Sequence, residues 1–451
     1  MTVQFEGQRA YEHIKALSVD IGPRVSGTEA EKQAAEYVAR QFEEMGLKPV
    51  TLAFDLPNEQ VTHFKLEILE PALGEIRTLP LVGTPDTPPE GLTGEVVFAE
   101  FPQEPYVGPH VEGKIVFLSN GGILGGNLIK LLKYKPLAIV LIGRTMSKDP
   151  NTFHVIRKDT NKPFDLVPTV HISYEEGVKL WNKGIKQARI TLKTERKPSQ
   201  SYRVYAGATG RENPAESVMV AGHMDSVPRD PGATDNAAGT ATVLELARVF
   251  AQKGSRRTLR FAAWGSEEGA GGGSLKYVLE LKKAHKIQKE APDYIEGFSK
   301  TDMEKHVLNI NLDVLGMSIG SNECYIQGSP ALEQYLKALT SETGIHHAFK
   351  TEIYGSDNIC FGWIGVPAVS FARAGVGTHY MHTPGDAIDL IDPGQLEIIG
   401  NMLDVFITRT AAEGIVWPFD RSTGSYTQDP RMAKSMMSII KLIGEDPALA
   451  E

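Results

Sequence analysis

Two histidines and several carboxylates in the second half of the chain stand next to the ends of short apolar runs. SVMVAG leads into His223, LRFAAW is followed closely by Glu268, and HVLNINL leads into Asp313. Two loop segments add Asp235 in GATDNAAG and His382 in HYMHTPGD. Imidazole nitrogens combined with carboxylate oxygens form a ligand set that suits zinc, and cobalt or manganese can substitute for it. These residues therefore predict a metal site.

Charge balance predicts that this site holds two metal ions per subunit. Carboxylates a few ångströms apart raise one another's pKa strongly, so their convergence requires compensating positive charge. Asp235, Glu268 and Asp313 carry three negative charges, and a bridging hydroxide would add a fourth. Two Zn²⁺ ions balance these charges, with His223 and His382 as neutral ligands.

Further carboxylates flank the predicted ligands. Asp225 and Asp386 follow the two histidines by two and four residues, so either is a candidate to accept the second N–H of an imidazole. Glu267 directly precedes Glu268, and neighbouring residues at a strand end point in different directions. One of the two glutamates can therefore bind metal while the other takes a proton from metal-bound water.

The order of apolar runs places the ligands in an α/β domain. From about residue 200, strand-like runs alternate with helical patterns such as NAAGTATVLELARVF. This alternation predicts a mixed, mostly parallel sheet flanked by helices. Such sheets bind ligands outside the carboxyl ends of their strands, so segments far apart in sequence meet at one edge. Near the N-terminus, Thr28 and Glu31 form a capping-box pattern that predicts a helix start.

A different pattern between residues 61 and 195 predicts a separate module. Short strand-like runs alternate there with turns that contain proline and glycine. The runs are FKLEILE, GEVVFAE, GKIVFLS, LAIVLIG, PTVHIS and ARITLKT. We interpret residues 61–195 as a β-rich insert in a catalytic domain formed by residues 1–60 and 196–451.

Bulk properties restrict the function further. The 451 residues, 41% of them hydrophobic and 23% charged, are typical of a globular protein with more than one domain. A net charge of −9 disfavours nucleic-acid binding, which requires a concentrated basic surface. The sequence has no apolar run of membrane-spanning length and no secretory pattern, so we expect no membrane partner and a cytoplasmic location. The sequence leaves formation of a homo-oligomer open.

Five segments in order resemble the signature of the co-catalytic zinc aminopeptidase family: GHMDS, TDNAAG, WGSEEG, NLDVLG and MHTPGD. Relatives in that family include glutamate carboxypeptidase II, plasma carboxypeptidase Q and the transferrin receptor ectodomain. The similarity covers residues 200–410 well and the N-terminal helices loosely. It implies the zinc-exopeptidase fold, which is phosphorylase/hydrolase-like. Residues 61–195 resemble the protease-associated domain that some members carry as an insert.

The resemblance also implies a role for each site residue. It implies two zinc sites that share one ligand: His223 with Asp313, Glu268 with His382, and Asp235 as the bridge. It further implies that Glu267 is the general base, and that the peptide bond from Asp235 to Asn236 is cis.

The implied activity is metal-dependent exopeptidase hydrolysis of peptide substrates. A bridging hydroxide would attack the scissile carbonyl, and Glu267 would pass the proton to the leaving amine. Most simple members are aminopeptidases, so release of N-terminal residues is the first expectation, with a carboxypeptidase or dipeptidase as the alternative. The transferrin receptor shows that the fold can become a non-catalytic binding protein, but here every ligand is retained.

The sequence leaves alternatives open for the residue that donates to the oxyanion and for one of the metal ligands. Some members place an oxyanion-donating tyrosine directly before the last histidine, but here that position is Met381. Tyr354 and Tyr380 are the remaining candidates. His379 competes with His382 as a ligand, and the HTPGD pattern of the family favours His382.

The sequence also leaves open which terminus of the substrate is recognised. Asp357 lies in a segment that lines the site in relatives, and an acidic residue there would favour a free α-amine. Arg373 would favour a carboxylate instead, although an ordinary loop role for this arginine is equally open.

Overall fold

The computed structural model describes residues 3–56, 59–81, 84–102, 104–119, 131–143, 150, 167–269, 272–295, 299–350 and 354–412. Residues 413–451 of the predicted catalytic domain lie outside these ranges. The described chain forms two eight-stranded sheets, which we call the main sheet and the second sheet. No helix within the described ranges is both long enough and apolar enough to cross a membrane.

The main sheet is mixed, with a parallel centre. Across the sheet, its strands are β1 (Val50–Leu56), β10 (Ser199–Ala208), β12 (Arg257–Trp264), β11 (Asn213–His223), β13 (His306–Leu312), β16 (Ala368–Ala374), β14 (Ser321–Gln327) and β15 (Ala348–Lys350). Strands β12, β11, β13 and β16 are parallel, whereas β1, β10 and β14 pair in antiparallel fashion. Because β12 and β13 flank β11 on opposite sides, the strand order reverses at β11. Open α/β sheets bind ligands at such a switch point.

Helices cover both faces of the main sheet, so the predicted α/β fold class is confirmed. The α-helices are α1 (Gly7–Lys15), α2 (Glu29–Glu44), α3 (Tyr174–Lys183), α4 (Ala238–Lys253), α5 (Gly272–Lys289), α6 (Pro330–Thr343), α7 (Asn358–Trp363) and α8 (Pro393–Ile407). The larger core lies between one face and helices α1, α2, α4, α6 and α8. A smaller core lies between the other face and helices α5 and α7.

The predicted start of α2 is confirmed, with one change in its capping. The Thr28 hydroxyl accepts the Glu31 N–H, as a capping box requires. The Glu31 carboxylate accepts the N–H of Gly27 at 2.6 Å. Phe42 of this helix is completely buried in the larger core, as its apolar spacing predicts.

Strand alternation points two predicted ligands towards the same face of the main sheet. In β13, Leu312 lies in the larger core, so the next residue, Asp313, points to the opposite face. In β11, Ala221 lies in the smaller core. Because residues two positions apart in a strand point to the same face, His223 points the same way as Ala221. The two side chains therefore meet beyond the carboxyl ends of adjacent strands.

A glycine lets the segment that carries Asp235 approach the end of β13. A Cβ atom on Gly239 would overlap the carbonyl of Leu312 and the side chain of Asn236. The Asn236 side-chain amide donates to the Leu312 carbonyl at 2.9 Å and accepts the Gly239 N–H at 2.9 Å. These contacts bring Asp235 next to Asp313.

The second sheet contains all six strand-like runs predicted for the insert. Across the sheet, its strands are β3 (Gly74–Ile76), β2 (Glu59–Glu70), β9 (Gln187–Arg196), β5 (Leu92–Ala99), β6 (Ile115–Leu118), β7 (Ala138–Ile142), β8 (Thr169–Ile172) and β4 (Leu79–Pro80). The β5–β8 part is parallel and carries α3, which the sequence analysis did not predict. The identity of residues 61–195 as a protease-associated domain stays a prediction.

Candidate metal centre

The five predicted ligands converge beyond the carboxyl edge of the main sheet in two groups. The first group is His223, Asp235 and Asp313, and the second is Asp235, Glu268 and His382. Within each group the candidate ligand atoms lie within 4.8 Å of one another. The competing His379 is exposed and belongs to neither group. Asp235 belongs to both groups and therefore stands between them.

Asp235 offers a different oxygen to each histidine. Its Oδ1 lies 3.1 Å from His223 Nε2, and its Oδ2 lies 3.1 Å from His382 Nε2. His223 Nε2 is also 3.3 Å from Asp313 Oδ1, and His382 Nε2 is 3.2 Å from Glu268 Oε1. A carboxylate with one oxygen on each side has the geometry of a ligand that bridges two cations.

The imidazole pKa values reflect the surrounding carboxylates. Burial alone would lower the pKa of His223, but nearby carboxylates, Asp313 foremost, outweigh burial and raise this pKa well above its usual value. Burial would also lower the pKa of His382, but Glu268 and Asp235 outweigh burial and hold this pKa well above its usual value. The carboxylates thus favour positive charge on both imidazoles. Bound divalent cations would supply that charge instead.

Two buried carboxylate oxygens indicate that the residues present fit metal ions. Glu268 Oε1 and Asp313 Oδ1 are buried, and each lies beside an imidazole Nε2, at 3.2 Å and 3.3 Å respectively. Burial of an ionised oxygen is costly unless a cation or a hydrogen bond compensates for it. Metal coordination would satisfy both atoms, and two imidazoles with three carboxylates form a donor set suited to zinc.

Glu267 lies beside the two groups and belongs to neither. Its Oε2 is 3.9 Å from His223 Nε2, and 15% of its side chain is exposed. Burial raises the pKa of Glu267 well above its ordinary value, and the carboxylate of Asp357 raises it further. A carboxylate that reaches solvent and holds a proton more tightly than usual is suited to proton transfer.

Comparison with known proteins supports the predicted resemblance. Residues 203–407, which include both ligand groups, match the model of peptidase family M28. This part of the chain is therefore similar to that family. The similarity confirms the predicted enzyme class, a metallopeptidase.

Several M28 relatives match most of this chain. Aminopeptidase YwaD of Bacillus subtilis is 27% identical over 412 residues, which are 88% of this chain and 84% of the relative. Carboxypeptidase Q of Bos taurus is 28% identical over 305 residues, and the match spans only 64% of that relative. The solved structure of BSAP, a zinc aminopeptidase from Bacillus subtilis, has a TM-score of 0.73 and 25% identity, and the match covers 93% of this chain and 98% of that chain.

Asp225 fixes the loop that carries the two glutamates. Its Oδ1 accepts the Glu267 N–H at 3.0 Å, and its Oδ2 accepts the Glu268 N–H at 3.2 Å. The hydroxyl of Ser26 also donates to Oδ2 at 2.9 Å. His223 Nδ1 lies 3.2 Å from the Asp225 carbonyl oxygen and 3.5 Å from the carboxylate. The main chain of Asp225 is therefore closer to the imidazole than its side chain.

Asp386 fixes the backbone at the residue shared by the two groups. It accepts the N–H of Thr234 at 2.9 Å, the hydroxyl of Thr234 at 2.7 Å and the N–H of Asp235 at 3.0 Å. The predicted contact between Asp386 and an imidazole stays a prediction. The Asp235–Asn236 peptide bond is cis, as the M28 resemblance implied.

Unusual backbone angles cluster around the two ligand groups. Ser266, Val314 and His382 have φ angles of 59°, 57° and 63°. Residues other than glycine occupy this left-handed region infrequently. Each of the three is a site residue or directly adjoins one, and sparsely populated conformations of this kind concentrate at functional sites.

Of the two tyrosine candidates, Tyr354 is the less exposed. Burial raises its pKa well above the ordinary value, and the carboxylates of Asp313 and Asp235 contribute to that rise. Its ring packs against Tyr325, with ring centroids 4.8 Å apart. Tyr380 is 46% exposed. Tyr354 is therefore the better placed of the two to donate a hydrogen bond at the site.

The two candidates for recognition of the substrate terminus differ in their surroundings. Asp357 is buried, and burial together with the carboxylates of Asp225 and Asp313 raises its pKa to about 7. The guanidinium of Arg373 donates to neighbouring loop acceptors: Met317 O at 2.6 Å, Asn322 Oδ1 at 2.9 Å and Ser318 O at 3.4 Å. The loop role that the sequence left open for Arg373 is the one these contacts favour.

Two supporting residues are not predicted by the sequence. The capping-box pattern indicates only a helix cap for Glu31, yet its Oε1 also accepts the Ser201 hydroxyl at 2.5 Å. Burial and the Asp225 carboxylate raise the Glu31 pKa to about 8. Arg24 is completely buried and was not singled out at all. No local pattern marks either role, because the partners that connect each residue to the site, such as Ser201 for Glu31 and Met224 for Arg24, lie far away in sequence.

Proposed function

We propose that this chain is an aminopeptidase that uses two zinc ions to remove N-terminal residues from peptides. His223 and Asp313 would hold one ion, Glu268 and His382 would hold the other, and Asp235 would be a ligand to both. The observation that carries this proposal is the position of Asp235, 3.1 Å from a histidine in each group. Similarity to YwaD and BSAP, which are named aminopeptidases, supports the reaction and the metal.

The proposed mechanism assigns a separate task to each residue outside the ligand groups. Zinc bound at the site would acidify a water molecule and polarise the scissile carbonyl. Glu267 takes the proton of that water and delivers it to the leaving amine. Asp225 accepts the amide N–H groups of both glutamates, which keeps Glu267 free while Glu268 binds metal.

Tyr354 is the proposed hydrogen-bond donor to the oxyanion that forms at the scissile carbonyl. Tyr354→Phe is expected to lower kcat about 10²-fold, because the lost hydroxyl stabilises charge that develops in the transition state. KM and zinc content should change little, since the ring and its packing remain. The matched control Tyr380→Phe should keep wild-type kcat. Loss of kcat in the control instead of in Tyr354→Phe would assign the donor to Tyr380.

Recognition of a free α-amine is the proposed reason for N-terminal specificity. A substrate ammonium group would be a favourable partner for the buried Asp357, and the rise that Asp357 causes in the pKa of Glu267 supports a position for that group near the general base. Arg373, the arginine that would favour a substrate carboxylate, is engaged by its own loop. Carboxypeptidase or dipeptidase activity is the second candidate, and similarity to carboxypeptidase Q favours it.

A panel of free, N-blocked and C-blocked peptides tests the proposal. The zinc-loaded protein should cleave free and C-blocked peptides and leave N-blocked ones intact, and elemental analysis should find two zinc ions per chain. A chelator should abolish cleavage, and added zinc should restore it. Cleavage of N-blocked but not C-blocked peptides would establish a carboxypeptidase. Zinc binding without any hydrolysis would favour a binding protein.

A further inference from the structure

Arg24 is a buried cation near the metal centre that the proposed mechanism does not use. Its side chain is completely buried in the turn between α1 and α2. Burial lowers its pKa to about 10, and nearby carboxylates, Asp230 foremost, oppose that change. The guanidinium therefore stays charged near neutral pH. A buried charge is tolerated only where its hydrogen bonds are satisfied, so its partners indicate its role.

The guanidinium of Arg24 joins three chain segments through five carbonyl oxygens. Its hydrogen bonds are Nε to Met224 O at 2.7 Å, Nη1 to Leu17 O at 3.1 Å, Nη1 to Gly22 O at 3.0 Å, Nη1 to Pro231 O at 2.6 Å, and Nη2 to Gly232 O at 2.9 Å. Met224 directly follows the ligand His223, and Gly232 lies three residues before the ligand Asp235. One side chain thus links the backbones of two ligand segments to the N-terminal helices.

The loop between these ligand segments folds around Arg24. The backbone N–H of Arg24 donates to the Ser226 hydroxyl at 3.0 Å, and that hydroxyl donates to the Asp230 carbonyl at 2.9 Å. The Asp230 carboxylate then accepts the Gly232 N–H at 2.7 Å. Several hydrogen bonds therefore hold the segment from His223 to Asp235 in place, and Arg24 lies at their centre.

The charge of Arg24 complements the acidic residues around it. The carboxylates of Asp230, Asp225, Asp386 and Asp235 all act favourably on its positive charge. The five hydrogen bonds described for the guanidinium all go to carbonyl oxygens. Arg24 is thus a permanent cation that offsets the acidic cluster and leaves the carboxylates available to other partners.

We propose that Arg24 is a positioning residue that holds the His223 and Asp235 segments at the spacing that zinc binding requires. This inference rests on the proposed metal site. Lysine is a poor substitute, because a single ammonium carries three donors on a flexible stem, whereas guanidinium presents five donors in a planar fork. The backbone spacing of the two ligands should therefore relax in Arg24→Lys.

The test compares the zinc affinity of Arg24→Lys with that of a matched buried arginine. Arg257 is 6% exposed at the start of β12, the strand end opposite the site, and it bonds to Glu216 and to the Thr410 carbonyl.

Arg24→Lys should weaken zinc binding about 10–100-fold, as loss of a group that orients metal ligands does. Arg257→Lys should lower the melting temperature and keep the zinc affinity. Competition against a chelator of known affinity measures the constants, and the absorption spectrum of the Co²⁺-loaded proteins reports ligand geometry.

The wild-type titration separates failure of this inference from failure of the proposed function. Absence of zinc binding by the wild type would contradict the proposed metal site itself. Wild-type binding with a zinc constant for Arg24→Lys within about twofold, and an unchanged Co²⁺ spectrum, would overturn only the role of Arg24.

A milder variant decides the question if Arg24→Lys does not fold. Ser226→Ala keeps the guanidinium and removes the hydroxyl that anchors the Arg24 backbone. About tenfold weaker zinc binding in Ser226→Ala, with its fold retained, is the result expected. An unchanged zinc constant in this variant would overturn the proposal.

Discussion

Glu267→Gln is expected to lower kcat by about 10²–10⁴-fold, the range for loss of a general base, while both zinc ions stay bound. Glutamine has nearly the same shape as glutamate but cannot take a proton from water. Glu267 belongs to neither ligand group, so its replacement should leave the metal affinity intact. Turnover of an aminoacyl-nitroanilide and elemental analysis of the same preparation measure the two quantities.

The adjacent glutamate supplies the sharpest control for this prediction. Glu268 carries the same functional group one residue later, and its Oε1 lies 3.2 Å from His382 Nε2 within the second ligand group. Glu268→Gln should therefore lose zinc as well as turnover. Both variants keep the backbone N–H groups that donate to Asp225, so loop geometry is matched. Near wild-type turnover in fully zinc-loaded Glu267→Gln would show that the base lies elsewhere.

A surface glutamate tests whether any carboxylate-to-amide change slows the enzyme. Glu333 lies on α6 and pairs with Lys337, and the two side chains are 42% and 53% exposed. Glu333→Gln should keep turnover, zinc content and stability close to wild type, because exposed ion pairs contribute little.

The ligands were predictable because strand geometry and sequence agree at this edge of the sheet. His223 is in register with Trp264 on the neighbouring parallel strand, and Asp313 directly follows β13. An apolar run that ends in an ionisable residue therefore predicts a strand. It also predicts that the ionisable residue lies at the carboxyl end of that strand. Parallel strands place such termini at a common edge, which is why His223 and Asp313, 90 positions apart, could be assigned together.

The supporting contacts were less predictable, because sequence proximity is a poor guide to hydrogen-bond partners. Asp386 was expected at the imidazole four residues away, but its described bonds reach Thr234 and Asp235, about 150 positions earlier. Glu31 was expected to reach the backbone of Thr28, but its carboxylate bonds Gly27 and Ser201. Such pairings form only when the sheet and the N-terminal helices have packed, so no local pattern encodes them.

Helices α3 and α6 were missed although their boundaries carry clear signals. Each begins after a serine whose hydroxyl accepts the N–H three residues later, Ser173 for α3 and Ser329 for α6. Each ends at a glycine with positive φ, 59° at Gly184 and 70° at Gly344. The strand-like runs and turns around α3 gave the stronger pattern there, so the insert was interpreted as β-rich throughout.

Asp235→Ala is expected to lose both zinc ions together, and with them all peptidase activity. Asp235 is the one residue shared by the two ligand groups found in the described chain, and each of its oxygens faces a different histidine. Its removal takes a ligand from both ions and leaves the remaining carboxylates without a shared partner. Elemental analysis of purified protein, with circular dichroism to verify the fold, measures the loss.

Variants of ligands confined to one group make the role of Asp235 distinguishable from general damage. His382→Ala removes a ligand from the second group alone, and Asp313→Ala removes one from the first alone. Each should therefore lose one zinc ion more readily than the other, whereas Asp235→Ala should lose both at the same chelator concentration. Two zinc ions retained in folded Asp235→Ala would refute the bridge. Loss of only one zinc ion from folded Asp235→Ala would show that Asp235 is a ligand to a single ion.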